Sequence, residues 1–158
     1  MCQADFYEIR EAKASEWEDA MELAFQVFLK YEAREYGEEG TRSFAEFISD
    51  EFLKKMFLMG EYPLFVAVEG ERILGLISLR SGNHISLLFV DEKYHRRGIG
   101  SALIRHLQEY LLQRTRYTKL TVNASPYGIP FYHQVGFRDI GEETMKDGIV
   151  YTPMEFYL

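Results

Sequence analysis

The 158-residue sequence predicts an α/β fold in which one mixed sheet carries helices on its faces. Two observations predict it. Segments 64–69 and 72–79, and again 137–142 and 149–158, read as strands joined by hairpins, which makes antiparallel neighbours. Segment 84–123 reads as strand, turn, helix and strand, a βαβ unit that makes parallel neighbours. The element order is β α α β β β α β α β β. No linker, internal repeat or low-complexity segment interrupts it, so a single domain over residues 1–158 is expected.

Asp5 to Ala12 reads as the first strand. Ser15 and Glu18 have capping-box spacing and should start a helix that carries Trp17, Met21, Ala24, Phe25, Phe28 and Leu29 on one side and runs to about Tyr36. Gly37 and Gly40 bracket an acidic loop containing Glu38 and Glu39. Ser43 and Glu46 repeat the capping pattern, and Phe44, Phe47, Ile48, Phe52, Met56 and Phe57 line the next helix. Pro63 ends the helical region. Glu69-Gly70-Glu71 joins the first hairpin, and Ser81-Gly82-Asn83 turns the chain into a central strand, His84 to Val90. There Ile85, Leu87 and Phe89 alternate with Ser86, Leu88 and Val90, so both faces carry apolar groups, as in a buried strand.

Asp91 to Tyr94 is a short polar connection. Gly98-Ile99-Gly100 opens the central helix, where Ile99, Leu103, Leu107 and Leu111 repeat at helical spacing and Ile104 and Tyr110 widen the stripe. Lys119 to Asn123 is the next strand. Pro126, Gly128 and Pro130 mark a turn, Ile129 to Val135 fits one short helix, and Gly136 stops it. The closing strands meet at Lys146-Asp147-Gly148.

Composition narrows the function. A formal net charge of -7 argues against a nucleic-acid binder, whose affinity comes from neutralising phosphates. One cysteine, Cys2, excludes an intrachain disulfide, and His84, His95, His106 and His133 lack metal-ligand spacing. No signal peptide or long apolar run is visible, which leaves a cytoplasmic setting without membrane contact as the expectation. Aromatic residues on the closing strands (Tyr151, Phe156, Tyr157) suit a core or a homodimer interface.

The start of the central helix carries chemistry. His95, Arg96 and Arg97 precede Gly98, so no Ser, Thr, Asp or Asn caps the first N–H groups. Two glycines clear the approach and two arginines add positive charge, which suits a phosphate or pyrophosphate at the helix N-terminus. The competing reading is a glycine turn with solvated arginines. The Lys-Ser/Thr of a P-loop is missing, which speaks against a nucleotidase. Asn123 ends a strand expected to run parallel to the central one, and Tyr132 lies on the short helix beyond it. A phosphate site, an amide and a phenol thus converge near strand C-terminal ends, where ligands commonly bind.

At these residues the chain resembles the GNAT superfamily of N-acetyltransferases. His95-Arg96-Arg97-Gly98-Ile99-Gly100 matches the family pattern Gln/Arg-x-x-Gly-x-Gly/Ala, with His in the first position. Asn123, Phe131-Tyr132 and Gly136-Phe137 match the downstream signature. The resemblance implies a GNAT-type, mostly antiparallel mixed sheet of about seven strands with about four helices. It also implies acetyl-CoA as donor, no metal, and a primary amine of a small molecule or peptide as acceptor, attacking directly without a covalent enzyme intermediate.

By the same resemblance, the backbone N–H groups from Arg96 through Ser101 (Arg96, Arg97, Gly98, Ile99, Gly100, Ser101) hold the pyrophosphate, with His95 at the head of the motif. Leu88 and Val90 flank the pantetheine arm, and the Val90 N–H polarises the thioester carbonyl. Asn123 would bond the pantetheine or help fix the acceptor, and Phe131 completes the cofactor contacts. Tyr132 matches the general acid. His84, at the start of the central strand, is the base candidate, a structural histidine being the competing reading. Ser86, Tyr127 and Glu39 are candidates for acceptor contacts, and Glu35 and Glu38 lie near the same loop. The alternative function is a non-catalytic acetyl-CoA-binding sensor or partner module.

Overall fold

Helices with one apolar stripe must bury it, and the sheet of this chain offers two faces on which to do so. The computed structural model describes residues 6–158, so Cys2 and Asp5 lie outside the described residues. The strands are β1 (Glu8–Glu11), β2 (Leu64–Glu69), β3 (Arg72–Arg80), β4 (His84–Val90), β5 (Lys119–Ala124), β6 (Arg138–Asp139), β7 (Thr144–Lys146) and β8 (Ile149–Tyr157). The helices are α1 (Trp17–Tyr31), α2 (Ala33–Ile48), α3 (Glu51–Leu58), α4 (Ile99–Arg114) and α5 (Ile129–Gln134). The strand order is β1-β2-β3-β4-β5-β8-β6, with β7 paired to β8. Only β4 and β5 run parallel among these pairs, so the sheet is mixed and mostly antiparallel, as expected.

One face is covered by α4 and α5. Ile99, Leu103, Ile104, Leu107 and Leu111 of α4 are buried there with Phe65, Ala67, Ile77, Leu79, Leu120 and Val122 from the strands. The other face is covered by α1, α2 and α3. Trp17, Met21, Ala24 and Phe28 of α1 and Phe44 of α2 meet Leu64, Val66, Leu76, Leu87 and Phe89. β2 shows the two-residue period directly, sending Leu64, Val66 and Val68 to the second face and Phe65 and Ala67 to the first.

β4 departs from simple alternation. Its register against β3 slips between Ser78–Leu87 and Leu79–Ile85, leaving Ser86 as the extra residue of a bulge. Ile85 therefore joins the α4 face, whereas Leu87 and Phe89 join the α1 face. The expected common face for Ile85, Leu87 and Phe89 is not formed. The Ser86 hydroxyl accepts from Tyr62 (2.9 Å), whose oxygen also lies 2.7 Å from the hydroxyl of buried Ser78.

The N-terminal helices also differ from the expected pattern. Ser15 falls in a 3-10 turn, Ala14–Glu16, and the carboxylate that closes the helix start is Glu16, accepting from the Lys13 N–H at 2.7 Å and from Arg10. The first helix stops at Tyr31 rather than Tyr36. Residues 37–40 form no loop; α2 runs through them with a kink at Gly37, where φ is 68°. Ser43 does not cap a helix but donates to Asp147 O at 3.0 Å, tying α2 to the β7–β8 turn. Asp50 caps α3 by accepting from Phe52 N–H at 2.9 Å, so the Phe-rich stretch is split in two. Phe44 and Ile48 are buried, but Phe52 is 67% exposed.

Gly40 and Gly148 make the α2–hairpin contact feasible. A Cβ on Gly40 would lie 2.5 Å from Gly148 O, closer than side chains tolerate. The first closing strand is only Arg138–Asp139, and a separate short strand, β7, forms the hairpin with β8.

Candidate active site

The site forms where two neighbouring strands stop pairing. β4 and β5 pair only at His84–Thr121 and Ile85–Val122. β5 stays tied to β8 from Lys119 to Ala124, and β4 stays tied to β3 as far as Val90. The two strands therefore part beyond Ile85 and open a cleft toward their C-terminal ends. The Asp91 N–H donates to Leu74 O at 2.8 Å. Alternation along an antiparallel ladder then turns the backbone groups of Val90 and Leu88 to the cleft edge. Such groups need a partner, either ligand or solvent.

The loop at the end of β4 is held locally. Asp91 accepts from the Lys93 N–H at 3.0 Å, and His95 bends back so that its Nε2 lies 2.6 Å from Val90 O. The backbone is left-handed at Arg96 (φ 63°) and at Gly98 (φ 81°). For an arginine this conformation is uncommon, and such outliers cluster at ligand-binding turns. Gly98 is the N-cap of α4 and no side chain caps the helix. A Cβ there would meet nothing within 4 Å, so the approach to the free N–H groups is open. Arg96 and Arg97 are exposed beside it. A strand edge lined with amide groups, ending at an uncapped helix flanked by two guanidiniums, fits an amide-bearing arm attached to a pyrophosphate.

Beyond β5 lies a cluster of proton-bearing groups. Tyr132 on α5 is 7% exposed, and its ring meets Phe131 and Phe137 at centroid distances of 5.3 Å each. Burial first, then the charges of Glu32 and Tyr36, push its hydroxyl far above the ordinary phenol range. It therefore stays protonated and can donate.

Glu32 sits at the break between α1 and α2, with φ −123°. Its N–H donates to Phe28 O, and its carbonyl accepts from Glu35 and Tyr36. It holds the N-cap position of α2, yet its carboxylate does not cap that helix. The Ser125 and Tyr36 hydroxyls lie near enough to favour its charged form. Burial, reinforced by the charge of Glu35, outweighs those two hydroxyls and raises the carboxyl to about 7. Ser125 Oγ accepts from the Gly128 N–H at 3.1 Å. A Cβ on Gly128 would lie 3.2 Å from Ser125 Oγ and 3.3 Å from the Tyr132 ring, so both side chains border this glycine. Burial and then the Glu32 charge also raise Tyr36. Tyr31 walls the cluster, its ring 5.0 Å from both Tyr127 and His95.

The profile described as an acetyltransferase (GNAT) domain matches residues 32–158. The chain belongs to the GNAT acetyltransferase family. It is 32% identical over 88 residues to the uncharacterized N-acetyltransferase YafP of Escherichia coli, covering 56% of this chain and 54% of that protein. It is also 32% identical over 88 residues to the peptidyl-lysine N-acetyltransferase YjaB of the same organism, covering 55% and 57%. The chain thus matches little more than half the length of these relatives. Solved GNAT structures share the fold. A GCN5-related N-acetyltransferase from Rhodopseudomonas palustris superposes with a TM-score of 0.83 at 22% identity, covering 100% of this chain and 99% of that one. PaiA N-acetyltransferase from Thermoplasma acidophilum, in complex with coenzyme A, superposes with a TM-score of 0.76 at 17% identity, covering 96% and 99%.

Within this GNAT fold, Leu88, Val90, Arg96, Arg97, Gly98, Ile99, Gly100 and Ser101 follow one another along the cleft edge and into α4. Phe131 lies against the start of α4, 3.2 Å from where a Gly100 Cβ would be. Asn123 is exposed near the open end of β5. The His95 side chain is spent on Val90 O. His84 stands at the closed end of the cleft, its Nδ1 2.8 Å from Thr121 Oγ1. Burial, then the nearby Arg80 charge, lowers its imidazole to about 4, far from the near-neutral value expected of it. Ser86 is turned to Tyr62, and Glu39 is exposed on α2, where its Cβ lies against the hairpin at Gly148. Tyr127 is exposed, its ring packed against that of Tyr31. Glu32, Tyr36 and Ser125 were missed from sequence. The only signal was an acidic residue near the end of a helix, shared by several neighbours.

Proposed function

We propose that this protein is an acetyl-CoA-dependent N-acetyltransferase acting on a primary amine of a small molecule or peptide. The observation that carries the reading is the parting of β4 from β5, with the backbone of Leu88 and Val90 on the open edge and the uncapped start of α4 at its end. The pantetheine arm adds to β4 as an extra strand would, through main-chain hydrogen bonds. The N–H groups of Arg96 through Ser101 and the charges of Arg96 and Arg97 hold the pyrophosphate. Asn123 and Phe131 line the opposite wall.

The amine attacks the thioester carbonyl directly. The Val90 N–H is assigned to the developing oxyanion, a role that gains from a site with little water. Tyr132 is assigned to the departing thiolate, and its raised hydroxyl keeps the proton available until then. His84, neutral and bonded to Thr121, is assigned to holding the closed end of the strand pair. The acceptor class is supported by names of similar proteins: YjaB is a peptidyl-lysine N-acetyltransferase, and a SpeG chimera of similar fold is a spermidine N-acetyltransferase.

Calorimetry with acetyl-CoA tests the reading, with Gly98→Glu as control. That change puts a carboxylate where the pyrophosphate should sit. Wild type should bind, the folded variant should not, and amines should trigger CoA release from the wild type. A wild type that binds no acetyl-CoA would sink the proposal.

A further inference from the structure

We propose that Tyr31 and Tyr127 select the acceptor, admitting a slender alkylammonium of the polyamine type and turning away a lysine carried on a peptide backbone. The inference rests on the acetyltransferase reading above and names the acceptor class of that site.

β4 and β5 part beyond Ile85 and Val122, so the opening at their C-terminal ends has a side on each face of the sheet. α4 packs on one face and begins at Ile99, after the loop that follows β4. α1 packs on the opposite face and ends at Tyr31. With the donor's pyrophosphate at the start of α4, the α1 face is left for the amine. Tyr31 spans the opening on that face. Its ring centroid lies 5.0 Å from that of His95, in the loop after β4, and 5.0 Å from that of Tyr127, in the segment after β5. One side chain thus bridges the two walls that the strands leave apart.

The bridge is fastened at one end. The Tyr31 hydroxyl donates to the Glu92 carboxylate at 3.1 Å, and neighbouring Lys30 pairs with the same carboxylate. His95, against which the ring rests, is itself fixed by its contact with Val90 O. The Tyr31 and Tyr127 rings, tilted by 34°, are in van der Waals contact at this separation, so nothing passes between them. An amine has to come past the edge of the pair. An unbranched alkyl chain can do so, whereas a peptide backbone running to both sides of a lysine would meet the rings. Phenol faces also attract an ammonium, and Tyr127, 46% exposed, leaves much of its ring open to one.

The test compares CoA release from acetyl-CoA with spermidine and with a lysine-containing peptide, for wild type, Tyr31→Ala, Tyr31→Phe and Tyr127→Ala. Acetyl-CoA calorimetry on each variant reports folding and the donor site. Wild type should favour spermidine over the peptide by at least about tenfold in kcat/KM. Tyr31→Ala and Tyr127→Ala should erase most of that preference, and Tyr31→Phe, which keeps the ring, should retain it. All three should bind acetyl-CoA as wild type does. A wild type without the preference, or alanine variants that keep the wild-type ratio, would overturn the selection and leave the acetyltransferase reading intact. Loss of acetyl-CoA binding in both alanine variants would also overturn it, since the rings would then be structural. A wild type that binds acetyl-CoA but releases CoA with neither amine overturns the acetyltransferase reading itself, and the selection falls with it.

Discussion

The Nε2 atom of His95 lies 2.6 Å from the carbonyl oxygen of Val90, five residues earlier, and so locks the end of β4 to the loop that leads into α4. The contact satisfies a carbonyl that alternation turns to the cleft edge, and it fixes the loop whose next residue, Arg96, is left-handed. His95→Ala should weaken acetyl-CoA binding by roughly three- to tenfold, the worth of one hydrogen bond of about 1 kcal/mol. Calorimetry reads this, and an unchanged affinity would show that the loop keeps its shape without the histidine.

Tyr132→Phe keeps the ring between Phe131 and Phe137 but removes the buried hydroxyl. Turnover should fall by about 100-fold or more while acetyl-CoA affinity stays near wild type. If the variant lost cofactor binding with its fold intact, the donor role would be wrong.

Glu32 should cost stability when it is charged. Its folded carboxyl titrates near 7 against an ordinary value of 4.5, so the penalty is absent below the unfolded value and grows as pH rises through the folded one. Glu32→Gln should therefore raise the melting temperature at pH 8, by on the order of 1–3 kcal/mol in stability, and do little at pH 4. Thermal unfolding at the two values checks the sign; equal effects at both would remove the charge as the cause.

Glu155 behaves oppositely. The guanidinium of Arg138 (2.6 Å) and the Lys119 ammonium (3.4 Å) hold its carboxyl below the ordinary range. Its stabilisation is present above the unfolded value and disappears as pH falls through the folded one. Glu155→Gln should lower the melting temperature at neutral pH, and the gap from wild type should close on acidification below about 4.

Gly40→Ala would press a methyl group against Gly148 O, 2.5 Å away, where α2 meets the β7–β8 hairpin. Overpacking of this kind costs about 1–3 kcal/mol. Scanning calorimetry should show a lower melting temperature, and an unaltered transition would mean that the hairpin is free to move off the helix.

Much of the fold could be read locally. The β2–β3 hairpin, the β4–α4–β5 unit and the uncapped glycine start of α4 all rest on near neighbours in sequence: two-residue alternation, 3.6-residue repeats, turn glycines and the lack of a capping side chain. The N-terminal helices resisted the same treatment. Ser15 and Ser43 have capping spacing, yet Ser15 sits in a 3-10 turn closed by Glu16 with Lys13 and Arg10, and Ser43 reaches across to Asp147, a partner distant in sequence that replaces a local cap worth about 1 kcal/mol.

By itself, the sequence determined the α/β class, the strand–loop–helix with its uncapped glycine start, and the place of Tyr132 on a short helix after β5, since each is written in contiguous residue types. Only the tertiary structure decided where β4 leaves β5, which face Ile85 shares after the bulge at Ser86, and that Glu32 lies where its charge reaches Tyr132. The reason is physical. A strand's far edge, a one-residue register slip and a carboxylate's environment are set by groups dozens of residues away, and burial, the main cause of Glu32's raised carboxyl, has no local sequence signature.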